Sequence, residues 1–97
     1  MKLLLYHPEA SDEIDGAYTW YAMRSTHAAD GFYEELFKAL DMVHQRPRQF
    51  PSYLHGTRRA LLDSYPFSVV FRELPRKIQI VAVAHAKRRP GYWAKRL

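Results

Sequence analysis

Pro47 divides this sequence into two parts with different hydrophobic periodicities. Between residues 10 and 43, apolar residues recur at the spacing of a helix face. After Pro47, apolar residues form short runs bounded by Pro, Gly and Ser, which is typical of strands. Because proline disfavours helical geometry at the residue before it, a helix should end at Arg46. Helices and strands are therefore segregated along the chain, which favours an α+β domain.

Two apolar stripes before Pro47 predict an αα-hairpin. The first helix should begin near Pro8, because proline suits a first helical turn, and Ser25 or Thr26 can cap the second helix. The first stripe consists of Ala10, Ile14, Ala17, Tyr18 and Tyr21. The second stripe consists of Ala29, Phe32, Leu36, Ala39, Leu40 and Val43. Each helix should therefore bury one face.

Four strand-like runs accompany this hairpin. They are residues 2–6 before the first helix and residues 58–64, 67–74 and 77–85 after Pro47. The three runs after Pro47 are separated from one another by two residues each, which is short enough for hairpin turns. This spacing indicates a β-meander. We predict a single domain over residues 1–97, with the helical hairpin packed on one face of a largely antiparallel sheet.

Charge is distributed unevenly along the chain. Residues 1–45 contain three Lys or Arg and eight Asp or Glu, whereas residues 46–97 contain twelve and two, so the formal charges are −5 and +10. A strongly basic half attracts phosphate backbones, anionic lipid or an acidic protein. Charge alone does not distinguish among these partners.

Composition excludes several kinds of site. The sequence contains no cysteine, so a disulfide framework and a thiolate zinc site are excluded. The four glycines are isolated from one another, and the sequence has neither a phosphate-binding glycine-rich loop nor an H-E-x-x-H pair. We therefore expect no metal and no cofactor. The apolar start MKLLLY is too short for a signal peptide or a membrane span, so we expect a cytoplasmic protein that does not bind membranes.

Two basic segments are candidates for a binding surface. Residues 42–62 contain no carboxylate and include Arg58 and Arg59, which indicates an anion-facing surface. The C-terminal sequence HAKRRPGYWAKRL adds Lys87, Arg88 and Arg89 directly after the last strand. Such cations can neutralise the phosphates of a nucleic acid.

Tyr92 and Trp93, in the same C-terminal sequence, have two interpretations. In the first, the two rings stack on bases while the neighbouring cations bind phosphates, as in single-strand nucleic-acid recognition. In the second, the rings pack on the core and hold the C-terminus in place while the cations stay solvated. The residue types leave both interpretations open.

Several segments, taken in order, match a known pattern. They are HPEASDEI after the first strand, the Trp20-Tyr21 pair, FYEELFKALDMV, GTRRALLDSYPFSVVFRE and IQIVAVAHAKRRPGYW. With this set the sequence resembles, over nearly its whole length, the RelE/ParE superfamily of bacterial type II toxin-antitoxin modules, also described as plasmid stabilisation proteins. The resemblance implies a growth-inhibiting toxin that a cognate antitoxin holds inactive. We expect that antitoxin to cover the cationic surface.

The resemblance implies two possible targets. ParE-like toxins inhibit DNA gyrase, whereas RelE-like toxins cut mRNA on the ribosome without a metal. Such cleavage needs a base, an acid and cations on the scissile phosphate. The candidates for these catalytic roles are His85, Arg88 and Tyr92, with Lys87 as a further cation.

One arginine that is usual in the nucleases is absent. The stretch PFSVVF places Ser68 at that position, so Arg72 or Arg58 would have to replace the missing cation. The resemblance therefore favours gyrase inhibition, with ribosome-dependent mRNA cleavage as the alternative and a non-toxic basic binding module as the second alternative. The residues expected to bind the target or a nucleic acid are Arg58, Arg59, Arg72, Lys87, Arg88, Arg89, Tyr92 and Trp93.

Overall fold

The computed structural model describes residues 2–97 and places two helices between the first and second strands. The strands are β1 (Leu3–Tyr6), β2 (Arg58–Leu61), β3 (Phe67–Glu73) and β4 (Lys77–His85). The helices are α1 (Pro8–Ala22) and α2 (Thr26–Gln45). Short 3-10 helices cover Pro47–Gln49, Leu54–Gly56 and Ala94–Arg96. This order confirms the predicted strand, αα-hairpin and β-meander.

The ends of both helices lie where local signals predict them. Pro8 is the first residue of α1. Ser25 Oγ accepts a hydrogen bond from Ala28 N at 3.1 Å, so Ser25 is the N-cap of α2. α2 ends at Gln45, just before the Arg46-Pro47 pair. Within residues 2–97, no helix is both long and apolar enough to cross a membrane.

The strands form one sheet in the order β1-β4-β3-β2. β2, β3 and β4 are antiparallel neighbours, whereas β1 runs parallel to β4. β1 pairs with Lys77 to Ile80 only, because it has four residues and β4 has nine. In the described part of the chain, the edge of β4 therefore has no strand beside it after Ile80. This open edge contributes to the candidate site.

The sheet buries apolar side chains on both faces. On the helix face, Val69, Phe71 and Val83 pack with the stripes of α1 and α2. The cluster on the opposite face consists of Val70, Val81, Ala82, Ala84 and Trp93. Trp93 belongs to residues 86–97, which we call the C-terminal segment and which folds back over the sheet. The sheet therefore lies between the helical hairpin and the C-terminal segment.

The predicted stripes form the helical side of the core. The stripe residues with buried side chains are Ala10, Ile14, Ala17, Ala29, Phe32, Leu36, Leu40 and Val43. Tyr18, Tyr21 and Ala39 are only partly buried, because they lie at the margin of the helix-sheet contact.

β2 ends at Leu61 rather than at the predicted residue 64. Leu62 N still donates to Phe67 O at 2.9 Å, and the connection that follows is held against α2 by two hydrogen bonds. Ser64 N donates to Glu35 Oε1 at 2.6 Å, and Tyr65 Oη donates to Ala28 O at 2.7 Å. These contacts join residues far apart in sequence, so strand periodicity alone did not predict them.

Candidate target-binding site

The C-terminal segment is anchored by Trp93. This side chain is 1% exposed and packs beside the rings of Tyr53 and His55, at centroid distances of 6.1 and 5.9 Å. Trp93 therefore serves as the core anchor of the second interpretation and has almost no surface left for stacking on a base. Tyr53 was missing from the sequence-based candidates, because it lies in the irregular loop before β2.

Tyr92 is held by a carboxylate on α1. Its hydroxyl donates a hydrogen bond to Glu13 Oε2 at 2.6 Å. Burial and this hydrogen bond raise the pKa of Tyr92 well above its ordinary value. The phenol is therefore neutral at physiological pH, and its proton is already shared with Glu13.

Glu13 and Arg96 form a bidentate ion pair beside Tyr92. Arg96 Nη1 lies 2.9 Å from Glu13 Oε1, and Arg96 Nη2 lies 3.0 Å from Glu13 Oε2. The Arg96 side chain is 9% exposed and the Glu13 side chain 16%. Hydrogen bonding to Glu13 raises the pKa of Arg96 further, so the guanidinium remains charged. We call Glu13, Tyr92 and Arg96 the Glu13 cluster.

The Glu13 cluster provides hydrogen-bond partners for two backbone groups at the open edge of β4. Val83 N donates to Glu13 Oε1 at 3.0 Å, and Arg96 Nη1 donates to Val81 O at 3.1 Å. These side chains take the place of the strand that β1 is too short to supply. The sequence separation of 83 residues leaves no local signal for this pair.

A small basic cavity lies on the sheet face opposite the helices. It has a volume of about 90 Å³ and is bordered by polar side chains from β2, β3, β4 and the C-terminal segment. The polar side chains that we use to define this arginine cavity are Arg59, Ser68, His85, Arg88 and Arg89. No carboxylate of the described residues lines it.

Aromatic rings support two of these arginines. The Arg59 guanidinium carbon lies 4.1 Å from the centre of the Tyr53 ring, and that of Arg88 lies 3.9 Å from the centre of the Tyr92 ring. Stacking of this kind restricts a guanidinium while its N–H groups remain available at the edge. The fold therefore places two pre-oriented cations at this cavity.

A larger apolar groove of about 540 Å³ adjoins the arginine cavity. Its walls include Ala17, Trp20, Phe67 and Val83, so it lies between α1 and the β3-β4 pair. The residues shared by the two depressions are His85, Arg88 and Tyr92. Lys87 lines the groove but not the arginine cavity.

Arg58 and Arg72 lie outside the arginine cavity. Arg58 Nη1 donates to Phe50 O, and its position opposite Phe71 puts it on the helix face. Arg72 Nε donates to Gln79 Oε1 at 2.8 Å. The cations that share a cavity with Ser68 are instead Arg59, Arg88 and Arg89.

The alternation of β2 separates Arg58 from Arg59. Neighbouring residues of a strand point to opposite faces, so the pair cannot form one continuous cationic surface. Strand alternation is a signal that the sequence itself carries, and it would have been enough to distinguish the two arginines.

Comparison with known proteins identifies the family. The model of the ParE toxin of type II toxin-antitoxin system, parDE, matches residues 4–90. The chain belongs to the ParE toxin family. This confirms the resemblance to the RelE/ParE superfamily and shows that the protein is a type II toxin. The family description also supports a cognate antitoxin as its partner.

A solved structure shares the ParE-like fold. It is described as the chromosomal ParDE TA system from P. aeruginosa, with 24% sequence identity and a TM-score of 0.78. The match covers 90% of this chain and 98% of that chain. The comparison with curated proteins gives no match.

Proposed function

We propose that this ParE-family toxin arrests growth by binding and inhibiting DNA gyrase, and that its cognate antitoxin releases the arrest by covering the same surface. The observation that supports a binding toxin over a nuclease is the hydrogen bond from Tyr92 to Glu13. In this bond the Tyr92 hydroxyl proton is donated to Glu13, whereas acid-base cleavage of RNA would need that proton for the reaction. The family membership supports the choice of gyrase.

The nuclease alternative would depend on His85 alone for acid-base chemistry. Arg88 stays protonated and can only stabilise charge. Tyr92 is a poor acid, because its pKa is raised by burial and by Glu13. His85 Nδ1 accepts a hydrogen bond from Lys87 N at 3.0 Å, which places the proton of the neutral ring on Nε2.

One observation keeps mRNA cleavage as the second candidate. His85 borders the arginine cavity, so a titratable side chain lies beside three cations. This is the combination that cleavage at a bound phosphate requires. An assay of both activities on the same preparation is therefore needed.

The decisive experiment compares gyrase and ribosomes side by side. Purified toxin is added to gyrase with relaxed plasmid, and in parallel to programmed ribosomes with mRNA. We expect blocked supercoiling and intact mRNA. Site-specific mRNA cuts that disappear in His85→Gln would contradict the proposal, and so would unimpaired supercoiling at a toxin concentration that arrests growth.

Tyr92→Phe and His85→Gln separate the two functions further. Loss of an acid or base lowers cleavage by roughly 10²- to 10⁴-fold. A gyrase-binding toxin should keep most of its inhibition in Tyr92→Phe, because the ring and its contact with Arg88 remain.

Expression of the toxin alone should arrest growth. Co-expression of the adjacent antitoxin gene should restore growth.

A further inference from the structure

We propose that the arginine cavity binds one phosphate group of a nucleic-acid strand. Gyrase inhibition does not by itself require such a contact. The proposal rests on the size of the cavity, its charge and the way its donors are held.

The size of the cavity fits a single tetrahedral oxyanion. Its volume is about 90 Å³, whereas that of the adjoining apolar groove is about 540 Å³. A phosphate that projects from a backbone needs only to bring its oxygens to the donors, so a cavity of this size is sufficient for it.

The cavity concentrates positive charge that no carboxylate neutralises. The ion pairs found among residues 2–97 use Lys2, Arg48 and Arg96 as cations. Arg59, Arg88 and Arg89 take part in none of these pairs, although they lie at one cavity. Guanidinium groups that border one cavity repel one another, so an anion bound among them lowers the electrostatic energy of the folded protein.

The donors approach the cavity from several directions. Arg59 comes from β2, Ser68 from β3, and Arg88 and Arg89 from the turn after β4. A carboxylate is planar and is satisfied by one bidentate arginine, whereas a phosphate presents oxygens in several directions. This arrangement favours phosphate over the side chain of an acidic peptide.

The Ser68 side chain completes the arrangement. Ser68 is 8% exposed and lies on the cavity wall, and its hydroxyl adds a neutral donor to the residues that line the cavity. An arginine at this position would fill much of the space. The arginines from β2 and from the turn after β4 therefore provide the cations around a hydroxyl.

Direct binding to labelled oligonucleotides tests this site. The full-length toxin is titrated into fluorescein-labelled single-stranded DNA and, separately, RNA, and anisotropy is measured over a range of salt concentrations. We expect binding that weakens with salt. Arg59→Gln and Arg89→Gln should each weaken it about fivefold or more and reduce the slope against log salt by about one.

Arg76→Gln is the matched control. Arg76 lies exposed in the β3-β4 turn, and its substitution removes one charge from the same basic half of the chain. We expect less than a twofold effect. Equal losses in all three variants would show general charge attraction and overturn the site, and so would the absence of binding at low salt.

Two further measurements make the outcome unambiguous. Inorganic phosphate should displace the oligonucleotide from the wild type at concentrations where chloride of equal ionic strength does not. An oligo-glutamate peptide whose binding depends on Arg59, with no oligonucleotide binding, would assign the cavity to a carboxylate and overturn the proposal. Thermal unfolding shows whether each variant is folded. If Arg59→Gln is unstable, the binding of Arg89→Gln tests the site instead, because Arg89 is exposed and its substitution should not disturb the fold.

Discussion

Gly31 lies where α2 packs closely against Tyr65 of the β2-β3 connection. A Cβ atom at this position would lie 2.5 Å from Tyr65 Oη. That hydroxyl donates to Ala28 O at 2.7 Å, so displacing it would weaken this bond. Gly16 in α1 is the opposite case, because a Cβ there would have no neighbour within 4 Å.

The two helical glycines should respond oppositely to alanine. Gly16→Ala should raise the free energy of unfolding by about 0.5–1 kcal/mol through helix propensity. Gly31→Ala should lower it by about 1–2 kcal/mol, because displacement of Tyr65 outweighs that gain. Urea denaturation of both variants measures the difference. If Gly31→Ala were as stable as Gly16→Ala, Tyr65 would not be fixed against α2.

At the scale of elements, side chains join segments that no strand pairing connects. The Glu13 cluster ties the C-terminal segment to α1 and to the open edge of β4. Glu73 has a similar role at the other end of the sheet. Its carboxylate lies 2.8 Å from Lys2 Nζ and 3.1 Å from Arg48 Nε, so it joins β3 to the start of β1 and to the loop after α2.

Loss of the Arg96 charge should destabilise the fold. Arg96→Gln leaves Glu13 partly buried without its cation, and we expect the free energy of unfolding to fall by roughly 2–3 kcal/mol. Lys95→Gln is the control, because the neighbouring Lys95 is exposed and its substitution removes the same charge, with an expected effect within about 0.5 kcal/mol. Chemical denaturation tests both. Equal effects would mean that the ion pair adds nothing beyond net charge.

Amide hydrogen exchange locates the effect of Arg96. Val83 N is held by Glu13, whose orientation Arg96 fixes. Its protection should therefore fall in Arg96→Gln more than that of Val69, which lies in the interior of the sheet. Uniform loss of protection would indicate global destabilisation instead.

The contribution of Glu73 should depend on pH. Hydrogen bonds from Lys2 and then Arg48 hold the pKa of Glu73 below its ordinary value of 4.5. A depressed pKa stabilises the fold above the unfolded-state value, and this stability is lost as the pH falls through the folded-state value.

Glu73→Gln should accordingly be less stable than the wild type at pH 7 by roughly 0.5–1 kcal/mol, the range of partly exposed pairs. The difference should shrink as the pH falls below about 4.5. Asp63→Asn provides the control, since Asp63 is exposed and forms none of the ion pairs found in residues 2–97. Denaturation at several pH values tests this, and a difference that persists at low pH would show a packing effect.

At the scale of the whole molecule, the two halves of the chain carry opposite net charges. The hairpin half is acidic and covers one face of the sheet, whereas residues 46–97 are strongly basic. Arg59 and Arg89 lie on the face away from the hairpin, and Arg88 lies where that face meets the apolar groove. An acidic antitoxin segment should therefore be attracted to that face, with a rate that falls as salt rises.

Charge reversal at Arg59 should slow antitoxin association. We expect Arg59→Glu to lower the association rate several-fold at low salt and less at physiological salt, because screening weakens the attraction. Lys38→Glu is the control, since it changes the net charge equally on exposed α2 surface in the acidic half. Stopped-flow mixing with purified antitoxin measures both. An unchanged rate for Arg59→Glu would place the interface elsewhere, such as on the apolar groove.

The sequence by itself determined the elements and most of their ends, with the end of β2 as an exception. The Ser25 cap, the stop before Pro47 and the end of the last strand at His85 depend on neighbouring residues, so periodicity and local chemistry predicted them. The chemical character of the candidate site was also predicted, because Lys87, Arg88 and Arg89 are adjacent in sequence. Its membership was predicted less well, because Arg58 and Arg72 lie outside the arginine cavity.

Only the tertiary structure decided how distant parts of the chain meet. The parallel position of β1 beside β4 and the Glu13–Arg96 pair join residues separated by most of the chain. Trp93 is buried against Tyr53 and against β3 and β4, which are also distant from it in sequence. The physical reason is that the backbone groups of an unpaired strand edge need hydrogen-bond partners, and an exposed apolar sheet face needs to be covered. Sequence patterns predict contacts between neighbouring residues only. The choice between an anchoring Trp93 and a base-stacking Trp93 therefore depended on packing across the whole fold.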